Sequence, residues 1–99
     1  MKATLRLRTR VVLPDGGIVE MVIWELPQKT LERPHGLKYR LYCGRNGECL
    51  VRYDNETGKG DHVHFGERER PYRFRGWETL MEDFLADVAR LTGGKHGET

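Results

Sequence analysis

The sequence has few of the features that mark membrane-spanning proteins, secreted proteins or proteins with a structural zinc site. No run approaches the roughly 18 apolar residues that a membrane helix needs. Met1–Arg10 carries four cations, but no apolar segment follows it, so we expect no secretion signal and a cytoplasmic protein. Cys43 and Cys49 are spaced C-x5-C instead of C-x2-C, which predicts two reduced packing residues and no zinc site built on the cysteines.

Net charge and apolar content are also low. The formal charge is only +2, yet a basic N-terminal strand and an acidic C-terminal helix can give the molecule one cationic face. Hydrophobic residues make up 37% of the 99-residue chain, enough for one thin core to which the aromatic residues add much area. We therefore predict one domain over residues 1–94 and a flexible tail over 95–99.

The first half of the chain contains two hairpin patterns. In the first, an alternating segment from Ala3 to Leu13 and the segment "GIVEMVIWEL" flank the turn "PDGG". Its predicted cross-strand pairs are Leu13 with Ile18, Leu7 with Trp24, and Arg6 with Glu25. The second hairpin joins "LKYRLYC" to "CLVRYD" through "GRNGE".

The second hairpin has two candidate registers. A three-residue loop with Gly47 in the left-handed region places Leu41 opposite Val51 and gives one apolar face. A two-residue Asn46-Gly47 turn places Arg52 opposite Leu41 and mixes the faces. We favour the first register, because it separates apolar from charged side chains. The charged face then carries Lys38, Arg40, Arg52 and Asp54.

The second half of the chain predicts a short strand at "HVHFG", another strand at "RPYRFR" and a helix. Tyr72 and Phe74 would share one face of the "RPYRFR" strand. Apolar residues recur at helical spacing from Trp77 to Leu91, and Gly93-Gly94 would end the helix. Both tryptophans are expected to fill the core. The predicted fold is α+β: a curved antiparallel sheet of about five strands, two hairpins plus a fifth strand, with one C-terminal amphipathic helix on one face.

The segment "RYDNETGKGDHVHFGERERPY" is dense in titratable groups. In an extended chain His62 and His64 point to the same side, about 6 to 7 Å apart, where they can share a metal or bracket a phosphodiester as acid and base. Asp61 can orient one ring, Lys59 lies on a glycine loop suited to phosphate, and Arg52 can clamp a phosphate. The predicted catalytic residues are Arg52, Asp54, Lys59, Asp61, His62 and His64.

A metal site is the competing use of the same residues. His62 and His64 with Asp54, Asp61 or Glu69 offer nitrogen and oxygen ligands, but no spacing fixes the set, so a site without metal or cofactor is favoured. Glu69 otherwise belongs to an alternating charge run typical of a solvated edge. A nucleic-acid face is predicted from Arg6, Arg8, Arg10, Lys38 and Arg40, with Tyr72, and Tyr42 by its register, as candidates to stack bases. Its alternative is an ordinary strand with solvent-facing arginines.

The central run resembles the TumE family, classed as the toxin of bacterial and archaeal toxin–antitoxin pairs. The matching residues are Tyr39, Arg40, Leu41, Arg52, Tyr53, Asp54, Asn55, Glu56, Gly58, Lys59, Gly60, Asp61, His62, His64, Pro71, Tyr72 and Phe74. Asp15, Gly16, Glu20, Trp24 and His35 are also similar. The resemblance covers roughly residues 3 to 90 and implies a cognate antitoxin, often a helix-turn-helix protein, and more weakly an action on RNA. Glu69 departs from the family pattern by its denser charge context.

The predicted function is a toxin that cleaves RNA without a metal, through attack by a 2′-hydroxyl on its own phosphate. His62 and His64 would divide the acid and base roles in either order, and Lys59 and Arg52 would stabilise developing charge. Asp61 and Asp54 would orient the cations or the imidazoles. Two other functions are compatible with the same residues: a non-enzymatic module that binds nucleic acid or protein, and a metal-dependent nuclease or phosphodiesterase. A homodimer is compatible with all three.

Overall fold

A computed structural model of the chain describes residues 2–56 and 58–92, and in them one antiparallel sheet carries one helix. The strands are β1 (Thr4–Val12), β2 (Ile18–Glu25), β3 (Leu37–Arg45), β4 (Glu48–Asp54), β5 (His62–Phe65) and β6 (Arg68–Pro71), and the helix is α1 (Trp77–Leu91). The six strands lie in chain order, each antiparallel to the next. This confirms the predicted fold class. Gly93-Gly94 and the predicted tail over 95–99 lie outside the described residues.

The first hairpin closes one residue earlier than predicted. Its observed pairs are Val12 with Ile18, Leu7 with Ile23, and Leu5 with Trp24, with a bulge between Leu5 and Leu7. The predicted pairs are therefore wrong, although the Arg6 Nε atom still donates to Glu25 Oε1 at 2.6 Å. Because a one-residue slip exchanges the two faces of a strand, the observed register turns Trp24 away from the core.

The second hairpin uses the two-residue turn that the prediction set aside. Asn46 and Gly47 both have positive φ, 55° and 78°, as a tight hairpin turn requires. A bulge at Cys43/Gly44 then shifts the register so that Leu41 opposes Tyr53. The predicted pairing is thus wrong, but the predicted separation of the faces is present, because the extra residue of the bulge restores the alternation.

The core lies between the sheet and α1. The helix buries Leu80, Phe84 and Val88, and the Phe84 ring meets the edge of Tyr53 with centroids 6.0 Å apart. Trp77 is 44% exposed and Trp24 lies half-buried on the other face, so the prediction that both tryptophans fill the core is wrong. Among the described residues no helix is both long enough and apolar enough to cross a membrane.

The segment after β5 differs from the predicted strand at "RPYRFR". Strand β6 covers only Arg68–Pro71 and pairs with β5, and the chain from Tyr72 to Gly76 has no regular structure. Tyr72 and Phe74 nevertheless both pack against the core, as their predicted common face required. Phe74 stacks on His35 with ring centroids 3.9 Å apart.

The face of the sheet opposite α1, called the open face below, is built of cross-strand rows. One row runs Arg8, Val22, Arg40, Asp54, His62, Pro71, the next runs Arg10, Glu20, Tyr42, Arg52, His64, Glu69, and a shorter one runs Leu5, Trp24, Lys38. Cross-strand neighbours lie within side-chain contact of one another. The open face therefore carries cations and aromatic rings at one end, and both histidines of β5 at the other.

Candidate active site

Strands β4 and β5 bring one carboxylate and two imidazoles together on the open face. Asp54 is the direct cross-strand partner of His62, and His64 follows two residues later on the same face. The two rings are 4.7 Å apart between centroids. Asp54 Oδ1 lies 2.6 Å from His62 Nε2 and 3.8 Å from His64 Nε2. Both imidazoles therefore direct the same ring nitrogen at one carboxylate oxygen.

Glu69 supplies a second carboxylate to this cluster. It is the cross-strand partner of His64, and its Oε2 atom lies 3.4 Å from His62 Nε2 and 3.7 Å from His64 Nε2. Glu69 was predicted only as an optional metal ligand on an otherwise solvated edge, because the β5–β6 hairpin was not recognised. The signal was the short Gly66-Glu67 turn between two extended segments, which places the residue opposite His64.

The orientation of His62 is set by its backbone neighbour. Its Nδ1 atom lies 2.8 Å from the carbonyl oxygen of Gly60, and since a carbonyl can only accept, Nδ1 carries the hydrogen. In a neutral ring Nε2 then presents a lone pair to Asp54. Side chains of His62 and Asp54 are only 4% and 6% exposed. Although Nε2 and Oδ1 are close, they are not aligned as donor and acceptor, and neither has a hydrogen-bond partner among the described residues.

His64 is held in its neutral form. Arg52 Nη2 lies 2.9 Å from His64 Nε2, and because a guanidinium can only donate, that nitrogen is the acceptor. Burial, and then the positive charge of Arg52, lowers the pKa of His64 from its ordinary value. Arg52 Nε also lies 2.9 Å from Asp54 Oδ2. Arg52 thus touches both the carboxylate and the second imidazole.

Asn55 fixes the end of the strand that carries Asp54. Its side-chain oxygen accepts from the Tyr39 N–H at 3.0 Å, and its amide nitrogen donates to the Leu37 carbonyl at 2.7 Å. Its own carbonyl accepts from Arg33 Nη2 at 2.9 Å. Asn55 therefore continues the β3–β4 ladder beyond the last strand residue. This cross-strand role was not predicted from the sequence.

Three predicted residues lie at the margin of the cluster or outside it. Lys59 lies at its margin, with Nζ 3.7 Å from Glu69 Oε2, and lines a depression with His62 and Glu69. Asp61 accepts from the Tyr39 hydroxyl at 2.6 Å and contacts His35 Nε2 at 3.0 Å, so the imidazole that it orients is that of His35. Tyr72 donates to Asp83 of α1 at 2.6 Å, on the helix side of the sheet. The structure therefore leaves Tyr72 apart from His62 and His64, whereas Asp61 lines a depression with His62 but bonds His35 and Tyr39.

The rest of the open face is basic and partly aromatic. A depression of about 500 Å³ beside Asp54 is lined by Arg33, Lys38, Tyr39, Arg40, Arg52, Asp54, Asn55 and Glu56. The guanidiniums of Arg8 and Arg40 lie 5.8 Å and 4.9 Å from the ring centroids of Trp24 and Tyr42. Arg10 and Arg40 share Glu20 as an ion-pair partner, and Arg6 pairs with Glu25 beside the bulge. Of the predicted nucleic-acid residues, Arg8, Arg10, Lys38 and Arg40 thus share the open face.

The fold and this cluster define a small α+β protein with a histidine–carboxylate site at one end of a basic sheet face. The family model described as Toxin TumE matches residues 1–92, and the chain belongs to that family. This confirms the resemblance found in the sequence. The family description identifies a toxin, and a toxin of this class implies a cognate antitoxin as partner. Searches of the curated proteins and of the solved structures found no match.

Proposed function

We propose that this toxin is an endoribonuclease whose active site is the cluster of Arg52, Asp54, His62 and His64. One observation carries the proposal: both imidazoles converge on one carboxylate oxygen, at the end of a sheet face that is otherwise cationic and aromatic. Cations that contact phosphate and rings that stack bases are the two means by which proteins bind single-stranded nucleic acid. The depression beside Asp54 gives a phosphate group a place next to the cluster.

The lone pairs of the cluster support an order for the acid and base roles. His64 Nε2 holds a lone pair and takes the proton of the ribose 2′-hydroxyl as the oxygen attacks the adjacent phosphorus. His62, protonated on both nitrogens between Gly60 and Asp54, gives its Nε2 proton to the departing 5′-oxygen. The P–O5′ bond breaks and the products are a 2′,3′-cyclic phosphate and a 5′-hydroxyl. Arg52 and Lys59 stabilise the charge on the phosphate oxygens.

The test is cleavage of matched RNA and DNA oligonucleotides by the purified chain in excess chelator. We expect cyclic-phosphate ends on RNA and no cleavage of DNA, because DNA lacks the attacking hydroxyl. His64→Ala should lower the rate by a factor of about 10² or more, the usual contribution of one proton-transfer group. His35→Asn is the matched control, since His35 also contacts a carboxylate but lies away from the cluster. RNA left intact by the wild type, or equal rates in wild type and His64→Ala, would refute the proposal.

A second candidate function is a metal-dependent nuclease, and one observation favours it. The ligand atoms of Asp54, His62 and His64 lie within 4.8 Å of one another, as metal ligands do. In that case the imidazoles hold the ion and do not transfer protons. Cleavage that stops in excess chelator and returns with added metal would identify this form of the enzyme.

A further inference from the structure

We propose that Asp54, His62, His64 and Glu69 form a binding site for one divalent transition-metal ion of the zinc type. These four residues are called the four-residue site below. The proposal concerns what the site binds, and it does not depend on whether the chain cleaves RNA.

The distances between the carboxylate oxygens and the imidazole nitrogens can accommodate such an ion, and the ligand atoms of Asp54, His62 and His64 lie within 4.8 Å of one another. A tetrahedral zinc centre with bonds of about 2.0–2.2 Å places its ligand atoms roughly 3.3 Å apart. Three of the four oxygen-to-nitrogen separations are close to this: 3.4 Å from Glu69 Oε2 to His62 Nε2, 3.7 Å from Glu69 Oε2 to His64 Nε2, and 3.8 Å from Asp54 Oδ1 to His64 Nε2. The fourth, 2.6 Å from Asp54 Oδ1 to His62 Nε2, must lengthen by about 0.7 Å on binding.

The unpaired atoms at the centre of the site are a second and independent observation. His62 Nε2 and Asp54 Oδ1 belong to side chains more than nine-tenths buried, and neither atom has a hydrogen-bond partner within residues 2–56 and 58–92. Buried polar atoms are rarely left in this state, because each then loses the interactions it had with water. A cation between the two atoms satisfies both of them together.

The surroundings of the imidazoles suit ligation by Nε2. Metal-binding histidines usually donate their other ring hydrogen to a carbonyl or carboxylate, and His62 Nδ1 does so to Gly60. His64 Nε2 accepts from Arg52 Nη2, so this nitrogen carries the lone pair that a ligand needs. Arg52 competes for His64 Nε2, so metal binding requires its Nη2 to leave that nitrogen; the Arg52 side chain is 27% exposed.

The ligand types indicate which ion is bound. Two imidazole nitrogens with two carboxylate oxygens suit zinc and the other transition metals, whereas magnesium and calcium prefer oxygen ligands alone. Two neutral histidines and two carboxylates also carry the −2 charge that balances a divalent cation. Glu69 is 40% exposed and lies at the rim, so the ion would enter from the side of Lys59 and Glu69.

The experiment measures zinc binding to the full, tag-free chain by calorimetry, with cobalt absorption as a second readout for tetrahedral ligation. We expect the wild type to bind one ion per chain and to show the cobalt bands. Binding should be at least tenfold weaker in Asp54→Asn, His64→Gln and Glu69→Gln, and the cobalt bands should be lost in these variants. Glu69 lies at the rim, so we expect Glu69→Gln to keep the fold and to test the site alone. Circular dichroism checks that the variant is folded. His35→Asn and His96→Asn are the matched controls, and both should bind as the wild type does.

The proposal is overturned if the wild type binds no stoichiometric zinc, or if all three ligand variants bind it unchanged. Binding lost only in His96→Asn would also overturn it, because the ion would then belong to another part of the chain. These outcomes are independent of the RNA assay. A chain that binds zinc and leaves RNA intact contradicts the proposed function alone, and a chain that cleaves RNA and binds no zinc contradicts the metal site alone.

Discussion

His62 Nε2 lies 2.6 Å from Asp54 Oδ1, while the carbonyl oxygen of Gly60 fixes the hydrogen on the opposite ring nitrogen. A neutral His62 would therefore set a lone pair against a carboxylate in a buried place. Only a positive charge makes this contact favourable, and either a proton or a bound cation can supply it. The same pair would thus serve as the acid in the proposed RNA cleavage, or as two ligands of the proposed metal.

Asp54→Asn tests this pair with almost no change of shape. The variant keeps the size of the side chain and removes the charge that stabilises a protonated His62, so we expect RNA cleavage to slow by a factor of about 10² or more. Asp61→Asn is the matched control, because Asp61 also contacts an imidazole, that of His35. Rates are measured on one RNA oligonucleotide after circular dichroism shows that both variants fold. A larger loss in Asp61→Asn than in Asp54→Asn would contradict the proposal, because the active site would then lie at the Asp61–His35 pair.

Zinc should inhibit RNA cleavage if the four-residue site binds it. The ion would occupy Nε2 of both His62 and His64, and these are the atoms that take up and release protons in the proposed reaction. We expect activity to fall as zinc saturates the site and to return fully with chelator. The measurement is the initial cleavage rate against free zinc, compared with the calorimetric binding curve. Stimulation by zinc would instead favour the metal-dependent nuclease.

The cations of the open face should act on RNA binding more than on the chemical step. Arg8 contacts Trp24 through its guanidinium, and in the part of the chain that the structure describes Lys38 has no carboxylate partner. Replacing either by Ala should weaken RNA binding and reduce the salt dependence of log K by about 0.7, the effect of one phosphate contact on a single strand. Arg75→Ala is the control, because Arg75 pairs with Asp83 on the helix side. An unchanged salt slope in both open-face variants would mean that RNA does not lie on this face.

The outline of the fold could be predicted because alternation and turn residues act locally. The registers could not, because the bulges at Leu5/Leu7 and Cys43/Gly44 depend on how each hairpin meets the rest of the sheet. The apolar and charged faces were nevertheless separated correctly in the second hairpin, since burial of the apolar face decides the final alternation.

The candidate site could be predicted in part for the same reason. His62 and His64 share a face by the two-residue period of a strand, and β4 supplies Asp54 beside them. The same period places Asp61, the neighbour of His62, on the opposite face. The prediction included Asp61 because this alternation was not applied to it. Glu69 required the β5–β6 hairpin to be recognised first. The contacts between strands, more than the residues within one strand, decided which side chains meet.

Asn55→Ala should destabilise the protein because the Asn55 side chain makes two hydrogen bonds to backbone groups of β3 at the end of β4. Asn55 is 1% exposed, accepts from the Tyr39 N–H and donates to the Leu37 carbonyl. Alanine leaves both backbone groups without these partners in a buried place, and at about 1–3 kcal/mol each the free energy of unfolding should fall by about 2–6 kcal/mol. Urea unfolding measures the change. Asn46→Gly is the control, since Asn46 is an exposed turn residue at a φ that glycine adopts freely, and its effect should stay within about 0.5 kcal/mol. A loss below about 1 kcal/mol in Asn55→Ala would show that Asn55 does not hold the strand on which Asp54 stands.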